Sequence, residues 1–131
     1  MSQQDVQTVR SAYDAFNRKD IPAVLATQDP NIEWIEAGGG RAPAGVFRGP
    51  QSIAAEVFAK VPQNFDEFRA DPEQMIDALE HVVVIGRFRA KAKSGATLDA
   101  PFVHVYKMRN NKVVGFQNYV DATSWANAWG K

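Results

Sequence analysis

The chain has 131 residues, 45% of them apolar, which is enough to bury a substantial core and too apolar for a disordered chain, so one domain over residues 1–131 is expected. Fifteen basic and fifteen acidic residues cancel, so no overall field draws the chain to nucleic acid or an anionic membrane. The lack of cysteine removes disulfides, thiolate metal sites and cysteine nucleophiles, and two lone histidines, His81 and His104, make no metal-binding cluster.

The opening MSQQDVQTVR lacks the apolar centre of a signal peptide, and no apolar run reaches membrane-spanning length. A soluble cytoplasmic protein is therefore the expectation. Val6, Val9, Tyr13 and Phe16 recur at helical spacing and predict a first helix over residues 4–18. Asp20 then caps a second helix with Pro22 in its first turn, and Asp29-Pro30-Asn31 stops it. A strand follows over residues 32–37, with Trp34 placed inward. The glycine- and proline-rich stretch over residues 38–45 reads as a surface loop, either a plain connection or a lid over a pocket. It has neither the ending of a Walker sequence nor dinucleotide-fingerprint spacing. Ile53, Val57 and Phe58 mark a third helix over residues 50–60.

Residues 65–79 form an irregular strand, in which Pro72 implies a bulge or an edge position. The strand over residues 82–93 alternates: its even positions are apolar and its odd side turns to Arg87, Arg89, Lys91 and Lys93. Its basic residues lack interleaved aromatics and read as solvated or subunit-facing, not as a nucleic-acid surface. His81 reads as a turn residue. Residues 101–121 predict a hairpin about Asn110-Asn111. One face carries Phe102, His104, Tyr106 and Met108 on the first strand and Val114, Phe116, Asn118 and Val120 on the second. His104 and Asn118 are polar groups on an otherwise apolar face, which calls for a reason. Residues 122–129 read as a closing helix capped by Asp121 or Thr123.

Helices ahead of a meander of strands indicate an α+β fold with helices on one face of a curved sheet. The sequence resembles the nuclear transport factor 2-like superfamily, and within it the ketosteroid isomerases and SnoaL-like polyketide cyclases. The resemblance lies in AYDAFNRKD, NIEWIEA, VFRGPQSI, VVVIGRFRAK, HVYKMRNNKV and NYVDA. It implies a cone-shaped α+β barrel whose mostly antiparallel sheet encloses a pocket, and a small hydrophobic ligand bound without cofactor or metal.

The resemblance also implies site residues. Glu36 falls where ketosteroid isomerases carry a carboxylate base, and His104 where they carry the protonated acid of the oxyanion hole. Tyr13 falls one position from their first-helix tyrosine when counted back from Asp20, a turn of about 100°. Asn118 takes the place of the cyclases' last-strand carboxylate, and an amide exchanges no proton at neutral pH. Trp34, Phe58, Phe88, Phe102, Tyr106 and Phe116 are expected as core residues that double as pocket wall.

Each assignment stands beside a plainer one. Glu36 is either a base in the pocket or a solvated strand end; His104 is either a donor to ligand or a satisfied core histidine; Asn118 is either catalytic or a tie to His104. Asp121 reads as a helix cap before a catalytic acid. Val83, Ile85, Val103, Val105, Val113 and Tyr119 are expected on the outer sheet face, making a patch that a homodimer would cover. The functions open at this point are cofactor-free proton transfer on an apolar carbonyl compound, carriage of a hydrophobic ligand without chemistry, and a dimeric assembly adaptor.

Overall fold

A computed structural model describes residues 2–130. Helix α1 (Ser2–Asn17) turns Val9, Ala12 and Tyr13 inward as one stripe. It ends where Lys19 takes φ 67 and the Asp20 N–H reaches back to the Ala15 carbonyl at 2.8 Å, which satisfies one of the free carbonyls of the last turn. Asp20 then caps α2 (Ile21–Leu25), accepting a hydrogen bond from the Ala23 N–H. Asn17 fastens the end of α1 to the sheet by bonding both backbone groups of Ala70.

The six strands are β1 (Gln28–Ala37), β2 (Ala44–Arg48), β3 (Phe65–Ala78), β4 (His81–Ala92), β5 (Thr97–Arg109) and β6 (Lys112–Val120). They lie in the order β2-β1-β6-β5-β4-β3. Only the β1/β6 pair is parallel; the others are antiparallel. Strands β2 and β3 are both edges, so the fold is α+β with an open sheet rather than a closed barrel. Pro72 has both features expected of it, since it sits at a register shift in the edge strand β3. The Asn110-Asn111 turn has φ 52 and 59, the doubly positive pair of a tight hairpin.

Several expectations are corrected. The glycine-rich stretch is shorter than predicted, because Ala44 opens β2, which has little apolar alternation to reveal it. Strand β1 begins at Gln28, with an irregular register before Glu33, so Asp29-Pro30-Asn31 lies inside a strand rather than at a stop. His81 starts β4 instead of lying in a turn. The third helix is three pieces: α3 (Pro50–Ile53), a π-helical turn (Ala54–Phe58) and α4 (Lys60–Asn64). Val113 was expected on the outer face, but a register shift at Lys107/Met108 pairs it with Met108, and it is buried on the inner one.

On the inner face, the even positions of β5 from Leu98 to Met108 are all buried. Gly86 has a steric role there. A Cβ on it would lie 2.5 Å from both the Phe102 ring and the Asp71 carbonyl, so only glycine lets Phe102 cross the sheet at this height. Helix α5 (Ala122–Trp129) closes one end, capped by Asp121, and presents Trp125 and Trp129 inward. No helix of the described residues is long and apolar enough to cross a membrane.

Candidate functional site

Between the helices and the inner sheet face lies a cavity of about 80 Å³. Aromatic rings make most of its wall. Trp34 stacks on Phe116 with centroids 3.7 Å apart, and Phe58 meets Trp34 edge-on at 5.3 Å. The π-helical turn supplies Val57 and Phe58, sequence neighbours that both reach the cavity.

Five side chains form a continuous hydrogen-bonded chain along one side. The Trp34 indole N–H donates to Glu36 Oε2 at 2.7 Å, and Asn118 Nδ2 donates to Glu36 Oε1 at 3.1 Å. Asn118 Oδ1 lies 3.1 Å from His104 Nε2, and the Tyr13 hydroxyl lies 2.5 Å from His104 Nδ1. The sheet produces this arrangement directly: His104 and Asn118 are paired in the β5/β6 register, so their side chains stand side by side.

The chain has a direction. An ionised carboxylate accepts hydrogen bonds and donates none, so Asn118 must turn its NH₂ toward Glu36 and its oxygen toward His104. The proton on His104 is then on Nε2, leaving Nδ1 to accept from the Tyr13 hydroxyl. Burial pushes the His104 pKa down to about 3, opposed by its bond to Asn118, so the ring is neutral at ordinary pH. Glu36 keeps some exposure as a residue, but its carboxyl group is deep. Burial pushes its pKa from 4.5 up to about 7, against the hydrogen bonds from Trp34, Asn118 and the Ala37 backbone. Burial, reinforced by the adjacent Tyr106 hydroxyl, holds Tyr13 well above the ordinary phenol range.

The structure therefore brings Glu36, His104, Asn118, Tyr13, Trp34, Phe58, Phe88, Tyr106 and Phe116 to one cavity. Glu36 is not a solvated strand end. Tyr13 faces inward and lines the cavity despite its offset. Phe102 is not a wall residue. It lies behind the wall, stacked on His104 at 3.9 Å and filling the space above Gly86. His104 is not free to donate to a ligand, since both its nitrogens are engaged within the protein. Asp121 accepts from the Thr123 N–H and the Ser124 hydroxyl and serves as the α5 cap. Wall residues that sequence reasoning missed include Gln28, Phe68, Trp125 and Trp129. The last two were detectable as an i, i+4 aromatic pair with no assigned partner.

The fold is that of the nuclear transport factor 2-like proteins. A protein of this class and of unknown function from Burkholderia pseudomallei is 31% identical, with a TM-score of 0.90 and 98% of each chain covered. One from Burkholderia thailandensis is 27% identical, with a TM-score of 0.89 and coverage of 97% of this chain and 98% of its own. TerC, crystallised with polyporic acid, shares the fold at 24% identity, with a TM-score of 0.88 and coverage of 95% and 97%. Within this class, the SnoaL-like domain family matches residues 9–116, and the chain belongs to that family. Among curated proteins none matches.

Proposed function

We propose that this protein moves a proton next to the carbonyl of a small apolar compound, without a cofactor, with Glu36 as the base. The observation that carries the reading is the Glu36 carboxylate, buried against aromatic rings, with its pKa raised to about 7. A base of that strength takes and returns a proton near neutral pH, whereas an ordinary glutamate is too weak. Negative charge develops on the carbonyl oxygen as the proton leaves, and it needs a donor. Tyr106 fits that role. It lines the cavity, and its one hydroxyl proton, which goes to the Tyr13 oxygen without substrate, turns to the substrate oxygen as charge develops there. Tyr13, His104 and Asn118 are positioning residues: they orient Glu36 and hold the Tyr13 oxygen toward Tyr106. Glu36 then returns the proton to a different carbon, which gives isomerisation, or to a leaving group, which gives dehydration.

The test is hydrogen–deuterium exchange at the α-carbon of 2-tetralone in D₂O, followed by NMR. Exchange accelerated by the wild type and lost in Glu36→Gln is the expected result; equal rates for the two proteins would refute the reading.

One observation favours a second reading, a carrier without chemistry: the Tyr13 proton and both His104 nitrogens are already committed inside the protein, leaving few donors for an oxyanion. Native mass spectrometry that found an intact apolar ligand on the purified protein, together with no exchange activity, would select it.

We also propose a homodimer through the outer sheet face. Val83, Ile85, Val103 and Val105 remain partly uncovered there, and Tyr119 is 51% exposed. A dimer by light scattering that dissociates in Val105→Asp is expected, and a wild-type monomer at micromolar concentration would refute it.

A further inference from the structure

Among the described residues, Gln28 is the one side chain of the cavity wall with both a donor and an acceptor buried and unpaired; the indole nitrogens of Trp125 and Trp129 are the other unpaired polar atoms of that wall. Gln28 is 6% exposed, and neither its nitrogen nor its oxygen has a partner among the described residues. It is buried and lines the same cavity, which puts it on the inner face of β1 despite the irregular register before Glu33. The adjacent polar groups cannot serve it. The Thr27 hydroxyl donates to the Val24 carbonyl at 2.7 Å, and the Thr27 carbonyl accepts from the Val113 N–H at 2.9 Å.

A buried amide without partners is destabilising, and such groups persist where a bound molecule completes them. Gln28 pairs with Val113 on β6 while Ile35, next to Glu36, pairs with Gln117, so the amide and the carboxylate stand at opposite ends of the cavity. Four residues of β6, and one more to reach the level of Glu36, put on the order of 15 Å of strand between the two positions, or on the order of 10 Å between groups in contact with the two side chains. The wall between the two ends is aromatic and apolar, including Phe16, Trp34, Phe58 and Phe116.

We propose that Gln28 is a second recognition point of the cavity, binding a hydroxyl group that the substrate carries on the order of 10 Å from the carbon deprotonated by Glu36. A hydroxyl both donates and accepts, as the amide does. The substrate class is then an elongated, ring-containing carbonyl compound with a polar group at its far end. The inference rests on Glu36 marking the reacting end.

The test compares 2-naphthol with 2,6-dihydroxynaphthalene, titrated by tryptophan fluorescence into wild type, Gln28→Met and Glu36→Gln. The diol is expected to bind wild type about tenfold more tightly than naphthol, the worth of one satisfied buried hydrogen bond. That advantage should vanish in Gln28→Met, which keeps the side-chain volume, with naphthol affinity retained. Equal affinities in wild type, an advantage that survives Gln28→Met, or no binding of either probe overturns the proposal. If the advantage follows Gln28 but Glu36→Gln alters neither probe's affinity, the recognition point stands and the reading of Glu36 fails. Thermal unfolding of the ligand-free proteins gives an independent measurement. Gln28→Met should melt higher than wild type because it removes an unpaired amide; a lower midpoint would show that the amide is already paired and would overturn the proposal.

Discussion

Replacing Glu36 with glutamine removes one titration and leaves the shape of the site, so the pH dependence of stability isolates what the cavity does to this carboxyl. In the folded protein its pKa is about 7, against 4.5 for an unperturbed glutamate. A raised folded pKa means the folded state holds a proton that the unfolded chain has released. The resulting stabilisation is fully present below pH 4.5 and lost as pH rises to about 7. At about 1.4 kcal/mol per tenfold difference in proton affinity, the loss amounts to about 3 kcal/mol. His104 acts in the opposite direction over an overlapping range. Its folded pKa near 3 lies below the ordinary 6.5, so its contribution is present above 6.5 and lost as pH falls toward 3. Between about pH 4.5 and 6.5 the two slopes cancel in wild type. Glu36→Gln uncovers the His104 slope, and its stability relative to wild type rises by about 3 kcal/mol from pH 4.5 to 8. Urea denaturation of both proteins at half-unit pH intervals measures this, and parallel curves across that range would refute the assignment of Glu36 to a desolvated site. Glutamine also reverses the hydrogen-bond chain: Asn118 must turn its oxygen to the new amide, which moves the His104 proton to Nδ1 and frees the Tyr13 hydroxyl proton.

Asn118→Leu leaves His104 Nε2–H without an acceptor and takes a donor from Glu36, so a loss of about 2–3 kcal/mol is expected. The Glu36 pKa should also move further up, as read by carbon NMR of the labelled carboxyl. Gly86→Ala places a methyl group 2.5 Å from the Phe102 ring and the Asp71 carbonyl. Since backbone cannot give way as a flexible side-chain end can, destabilisation of about 1–3 kcal/mol is expected in thermal or urea unfolding. Asp121→Ala removes the α5 cap and should cost about 1 kcal/mol. Because α5 carries Trp125 and Trp129 into the cavity wall, the same variant should weaken naphthol binding while leaving the Glu36 pKa unchanged.

The helices and most strands were legible because their apolar periodicities are long and their ends are punctuated. The Asp20 cap, the Pro72 irregularity, the Asn110-Asn111 turn and the Asp121 cap are local devices, and each is found where its residue type predicts. Strand β2 was hidden, since an exposed edge strand of five residues needs no alternation. The bulge that turns Val113 inward was hidden as well, because a register shift depends on the partner strand.

The site divides along the same line. Strand parity alone put His104, Asn118, Phe116 and Tyr106 on one face, and family resemblance added Glu36 and Tyr13. Gln28 was screened by the Asp-Pro-Asn that follows it, which reads as a turn when taken alone and is strand once β6 lies beside it.

The sequence by itself determined which residues are apolar, which faces they share and where the elements turn, because those follow from backbone geometry a few residues at a time. Tertiary structure alone decided that the Glu36 carboxyl is desolvated and its pKa raised, that His104 is neutral and already bonded at both nitrogens, and that Gln28 has no partner among the described residues. Proton affinity and hydrogen-bond satisfaction depend on what the rest of the chain brings within about 3 Å of a polar atom, and those neighbours lie up to 91 positions away in sequence.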